Sequence, residues 1–101
     1  MYKEEKYPDK DAKQLFEAIL SLKNTNEAVK FFRDLLTIKE IKNFSSRLKI
    51  AKLLYQNKYS YEQIAKKCKV STTTVTRVAH WLNHGLGGYK ILLARLLFKK
   101  K

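Results

Sequence analysis

Apolar residues recur along this chain every three or four positions and show no convincing alternation, so the pattern predicts helices and no strands. A first helix is expected from about Asp9 to Lys23, with Ala12, Leu15, Phe16, Ile19 and Leu20 on one face. Asn24-Thr25-Asn26 breaks it, and Asn26 is the expected cap of a second helix, about Glu27 to Leu36. That helix carries one stripe: Ala28, Phe31, Phe32, Leu35 and Leu36. Thr37 and Glu40 have capping-box spacing and open a third helix that runs to about Gln56. It has two stripes, Ile41, Phe44, Leu48, Ala51 and Tyr55 on one side and Ile50, Leu53 and Leu54 on the other. A helix apolar on two faces belongs near the centre of a fold.

The next segment is the informative one. Ser60 and Gln63 form a second capping box, opening a short helix from about Tyr61 to Lys67. Cys68-Lys69-Val70 reads as a three-residue turn, and Ser71 caps a further helix over about Thr72 to Asn83. Ile64, Val70, Val75 and Val78 have the spacing to pack the two helices together, with small Ala65 at their closest approach. The outward positions of the second helix are Thr72, Thr73, Thr76, Arg77 and His80: small donors and acceptors plus one fork-shaped cation. This is the pattern of a helix-turn-helix, spanning about residues 60–84. Hydroxyls on such a face can bond base edges in a major groove, and threonine methyls can touch thymine methyls. Tyr61 and Gln63 are expected at the rim, while Lys66, Lys67, Lys69, Lys58 and the Ser71 cap are expected to hold backbone phosphates. Lys69 falls where such turns commonly use glycine in a left-handed conformation, a strain of about 1 kcal/mol.

Gly85, Gly87 and Gly88 form a flexible stretch before a sixth helix, about Tyr89 to Lys100, with Tyr89, Leu92, Leu93, Leu96 and Leu97 apolar and three terminal lysines at its dipole-favoured end. The fold class is therefore all-α, six short helices in one domain over residues 9–101, preceded by a loose arm at 1–8. The stripes on helices one, two and six exceed what so small a core can bury, which points to a dimer interface.

Charge sharpens this reading. The chain of 101 residues has a net charge of +13. Residues 1–40 are neutral, and residues 41–101 carry 14 Lys/Arg against one acid, Glu62. A solvated surface interleaves both signs, whereas one-sided positive charge is the footprint of polyphosphate binding. No apolar run is long enough to span a bilayer and no signal peptide opens the chain, so a cytoplasmic location without membrane association is expected. The single cysteine, Cys68, has no internal disulfide partner and is expected to pack as a small apolar residue.

Leu36-Thr37 through Arg47, and Ile64 through Asn83, carry a family resemblance. With Thr74-Val75-Thr76-Arg77 and Leu82-Asn83 leading to Gly85, Gly88 and Tyr89, the chain resembles the tryptophan repressor family over about residues 10–98. It is most similar to the tryptophan-repressor-related branch (YerC/YecD type). The resemblance implies an intertwined homodimer, in which helices one, two, three and six interlock and helices four and five form two DNA-reading heads. It also implies half-sites about 34 Å apart. In tryptophan-binding members two arginines clamp the ligand; Arg47 and Arg77 match them, and Thr37 matches a residue lining that pocket. Val78 replaces a glycine and Trp81 a serine, and both are expected to fill the indole space with the protein's own atoms. The expectation is therefore no tryptophan and no other cofactor, with a different small effector left open.

His80 and His84, four apart on a helix, lack a sequence-adjacent carboxylate or thiolate, so no metal site is assigned. Trp81 is expected as a core anchor. No catalytic set is present, since the basic half holds one carboxylate and no glycine-rich phosphate loop, so no enzyme is expected and that class is the least supported. The sequence thus predicts a sequence-specific regulator of transcription that binds double-stranded DNA, for which repression by obstruction is the simplest mode at this size. Two rival classes stay open: a non-specific nucleic-acid-binding protein and a protein-interaction adaptor. The operator, the regulated genes, the sign of regulation and any effector are not written in the sequence.

Overall fold

The computed structural model describes residues 6–98 and contains, in order, α1 (Lys10–Leu20), α2 (Thr25–Leu35), α3 (Ile38–Gln56), α4 (Tyr61–Cys68), α5 (Thr72–His84) and α6 (Gly88–Phe98). Among the described residues there is no strand, and no helix is long and apolar enough to cross a membrane. The expected arm at 1–8 and the terminal lysines of the sixth helix lie partly or wholly outside the described residues. The chain divides into two compact units, Met1–Ile41 and Lys42–Lys101.

Polar side chains set the helix starts. Asp9 accepts from the Ala12 N–H at 2.7 Å and caps α1. That helix ends three residues earlier than the sequence suggests: Ser21 closes it, its hydroxyl donating to the Ala18 carbonyl at 2.6 Å. α2 is capped by Asn24, a correction to the expected Asn26. The Asn24 side chain accepts from the Glu27 N–H, and the Glu27 carboxylate accepts from the Lys23 N–H, both at 2.9 Å. Starting at Thr25 places Glu27 at the third helical position, so two otherwise unpaired N–H groups are satisfied together. Thr37 and Glu40 form the reciprocal box read from the sequence, at 3.1 and 2.9 Å.

Within the first unit neither α1 nor α2 has a buried residue. Ala12, Leu15, Ile19, Ala28, Phe31 and Phe32 are half-buried. Leu20 and Val29 are 83% and 61% exposed.

The core lies in the second unit. Ile50 and Ala51 of α3, Ile64 and Ala65 of α4, Val75, Val78 and Leu82 of α5 and Leu93 of α6 form one buried cluster. Ile50, Ile64, Val75 and Leu93 are its largest fully enclosed side chains, each contributing about 1.5–3 kcal/mol of burial. Leu53, Leu54, Tyr55, Cys68, Val70 and Tyr89 pack on its edge. Other parts of the same stripes remain uncovered: Phe44 and Leu48 on α3, and Ile91, Leu92 and Leu96 on α6 are exposed.

Candidate nucleic-acid interface

α4 and α5 are positioned by their own caps and by the residues between them. Ser60 Oγ accepts from the Gln63 N–H at 3.1 Å, and Gln63 Oε1 accepts from the Ser60 N–H at 2.8 Å. Lys69 follows α4 at φ 57, ψ 47, the left-handed geometry anticipated for this position. That turn lets the Val70 N–H reach back to the Ala65 carbonyl at 3.0 Å, a helix-ending bond that only a left-handed residue makes accessible. Ser71 then starts α5, its hydroxyl accepting from the Thr74 N–H at 3.1 Å and lying 3.1 Å from the Thr74 hydroxyl.

Burial fixes which way α5 faces. Val75, Val78, Ala79 and Leu82 are buried, and Thr72, Thr73, Thr76, Arg77 and His80 are exposed. The sequence-predicted reading residues therefore share the solvent side of one rod. They differ in what they offer. Thr72 and Thr73 make no side-chain hydrogen bond among the described residues, whereas Thr76 Oγ1 donates to the Thr72 carbonyl at 3.0 Å. Thr76 thus presents an acceptor lone pair and a methyl, its donor being already used. Gln63 is likewise divided: its oxygen serves the cap, leaving its amide nitrogen as the outward donor.

Lys66, Lys67 and Lys69 are exposed, as is Tyr61. Lys67 Nζ stands 4.6 Å from the centre of the Tyr59 ring, a cation–π contact that draws it toward the α3–α4 connection. Tyr59 was not among the residues that sequence reasoning singled out; an aromatic beside a run of lysines is the signal that could have found it. Glu62 is the one acid within residues 41–101, so the second unit presents a nearly unopposed cationic surface.

The residues matched to a ligand clamp behave differently from one another. Arg47 and Arg77 are both exposed, and the Arg47 guanidinium carbon lies 5.6 Å from the Phe44 ring centre. Thr37 belongs to the other compact unit, where it is exposed and serves as the α3 cap. Val78 is buried in the core cluster. Trp81 is not a core anchor, a correction to the sequence reading: it is 61% exposed, with its ring edge-on to His80 at 5.2 Å. The buried stripe of α5 passes through 78, 79 and 82, and Trp81 stands one turn beyond Arg77 on the exposed side. His80 and His84 have ring centres 5.2 Å apart. Among the described residues no group of three or more His, Cys, Asp or Glu is placed to hold a metal.

Two short capped helices joined by a tight turn, the second exposing a polar face on a basic body, define a DNA-binding regulator of the helix-turn-helix class. The family model described as Trp repressor protein matches residues 10–97, and the chain belongs to that family. It is 39% identical over 92 residues to the uncharacterized protein YerC of Bacillus subtilis (strain 168), covering 91% of this chain and 88% of that one. The solved structure of a TrpR-like protein from Eubacterium eligens superposes with a TM-score of 0.84 at 42% identity, covering 93% of this chain and 96% of the other. A second solved chain, from Staphylococcus aureus, gives a TM-score of 0.81 at 37% identity over 90% of both chains.

Proposed function

We propose that this protein is a homodimeric, cytoplasmic repressor of transcription that recognises a specific duplex sequence and does not use tryptophan as corepressor. The observation that carries the reading is the outward set Thr72, Thr73, Thr76 and Arg77 above the buried set Val75, Val78, Ala79 and Leu82. Threonines supply base-edge contacts, and Lys66, Lys67, Lys69 and the capped start of α5 supply phosphate contacts.

Dimerisation is supported by the uncovered apolar side chains of α1, α2, α3 and α6. Phe16, Leu20, Val29, Leu35, Phe44 and Leu96 are all exposed on the single chain, more than a monomer of this size ordinarily leaves to solvent. Independence from tryptophan is supported by Val78, whose branched side chain sits on α5 directly after Arg77; Trp81, 61% exposed, does not add to that filling on the single chain.

Selection of bound duplexes from a random pool, with and without tryptophan, tests the whole reading. A two-fold symmetric motif, recovered equally in both arms, is expected. A discrimination of less than about tenfold between duplexes at fixed salt refutes sequence specificity, and enrichment only with tryptophan refutes the occluded pocket.

A further inference from the structure

The second unit holds a cleft of about 370 Å³ between the end of α3, the α3–α4 connection, the start of α4, the last turns of α5 and the first turn of α6. We propose that this cleft binds a nucleoside monophosphate as a diffusible effector, an inference that rests on the regulatory reading above for its consequence but not for the binding itself.

The argument starts from what lines the cleft. Its apolar part includes Leu54, Ala79 and Leu82, of which the last two are 5% and 7% exposed and belong to the buried face of α5. Tyr55, Tyr59 and Tyr61 surround it. Three phenol rings around an apolar wall favour a planar π-system over an aliphatic chain. Two carboxamides, Asn57 and Asn83, and one ammonium, Lys90, complete the lining. All three side chains are exposed, and none makes a hydrogen bond or ion pair among the described residues, so each is open to a ligand in place of water. Each carboxamide offers a donor and an acceptor, the pairing that a nucleobase edge requires. Lys90 offers a point charge to a phosphate.

The cleft has no carboxylate in its lining, which disfavours a cationic ligand, and Glu62 stands next in sequence to Tyr61 without lining it. Its volume lies within the range of small-molecule sites. Asn57 is held in the left-handed region at φ 58, where its N–H still reaches the Leu54 carbonyl at 3.1 Å, so its carboxamide hangs from a fixed turn. Ala79, Leu82 and Asn83 lie on α5, the same rod that carries Thr72, Thr73 and Thr76. Occupancy of the cleft therefore bears on the orientation of the reading helix.

The same chemistry could be presented by a nucleotide within a single strand, and the test separates the two sources. Amide NMR spectra of the full chain, without DNA, are titrated with AMP, GMP, CMP and UMP, with inorganic phosphate and with a short single-stranded oligonucleotide. Saturable shifts confined to residues 54–61, 79–83 and 90 with at least one mononucleotide are expected. Asn83→Ala and Lys90→Met are each expected to weaken that binding by about tenfold, the loss of one base-edge hydrogen bond or one charge-assisted phosphate contact. Asn83→Ala, distant from the threonine face, is expected to retain duplex binding when no nucleotide is present. Equal shifts with phosphate alone, response only to the strand, or no shift with any mononucleotide overturns the proposal. Loss of duplex recognition by the wild-type chain would remove the regulatory reading instead, and leaves the nucleotide titration to be judged separately.

Discussion

Lys69 offers the sharpest test of how the two helices of the interface are joined. It occupies φ 57, ψ 47 with its side chain exposed, immediately after Cys68 and two residues before the Ser71 cap. A side chain with a Cβ in that region costs about 1–2 kcal/mol. Glycine removes this cost, but gives back about 0.4–1 kcal/mol through the greater freedom of the unfolded chain. Lys69→Gly is therefore expected to stabilise the protein by about 0.8 kcal/mol at the middle of those ranges, raising Tm by roughly 3–6 °C for a chain of this length. Lys69→Ala is the control: it removes the same charge but keeps the Cβ. The two variants and the parent are compared by thermal and urea unfolding at one fixed protein concentration. Glycine above alanine by the stated margin is expected. If alanine matches or exceeds glycine, the left-handed turn is not strained and the account of the α4–α5 junction fails. The same pair yields a second reading. If Lys69 contacts a phosphate, both variants lose close to one charge from the salt dependence of duplex binding, a change of about 0.9 in the logarithmic slope.

Other outcomes follow from the same geometry. Ile64→Ala, at a side chain with no exposure in the centre of the cluster, is expected to cost about 2–5 kcal/mol in urea unfolding. Thr73→Ala is expected to relax base preference at one position of each half-site in competition binding, with the salt slope unchanged, because an uncharged reader neutralises no phosphate. On the dimeric reading, Phe44→Asp, which places a charge on an uncovered face of α3, is expected to shift sedimentation from dimer to monomer and abolish tight duplex binding. Gly85→Ala is expected to lower Tm by several degrees, because its Cβ would lie 2.5 Å from the Trp81 carbonyl oxygen, a backbone atom that cannot swing aside.

Much of this was legible before any coordinates. The Thr37–Glu40 and Ser60–Gln63 boxes, the Ser71 cap and the left-handed Lys69 follow from local rules, since each depends on residues within a few positions of one another. Asn24 against Asn26 shows where such rules stop. Both residues can cap, and the choice falls on the one that also gives Glu27 a donor to bind, a bond that needs the geometry of Lys23 as well. Trp81 shows a different limit. Hydropathy marks it as core, yet its position on α5 is fixed by the four neighbours that do reach the core, and rotation of the rod outweighs the preference of one side chain. The division of labour within Gln63 and Thr76 was equally hidden, because a residue type does not reveal which of its lone pairs the backbone has taken. The cleft beside Lys90 could not be read at all from spacing, since its lining is drawn from segments up to 36 positions apart that only packing unites.

The bare faces of α1 and α2 carry a consequence for how the protein comes into being. With no side chain of either helix fully enclosed by its own chain, the N-terminal third gains little by folding until a second polypeptide arrives. On the dimeric reading, acquiring structure and finding a mate become one concentration-dependent event. The midpoint of thermal unfolding then climbs with protein concentration, and newly made chains at low abundance stay incompetent to occupy DNA, so that synthesis rate itself sets a threshold for occupancy.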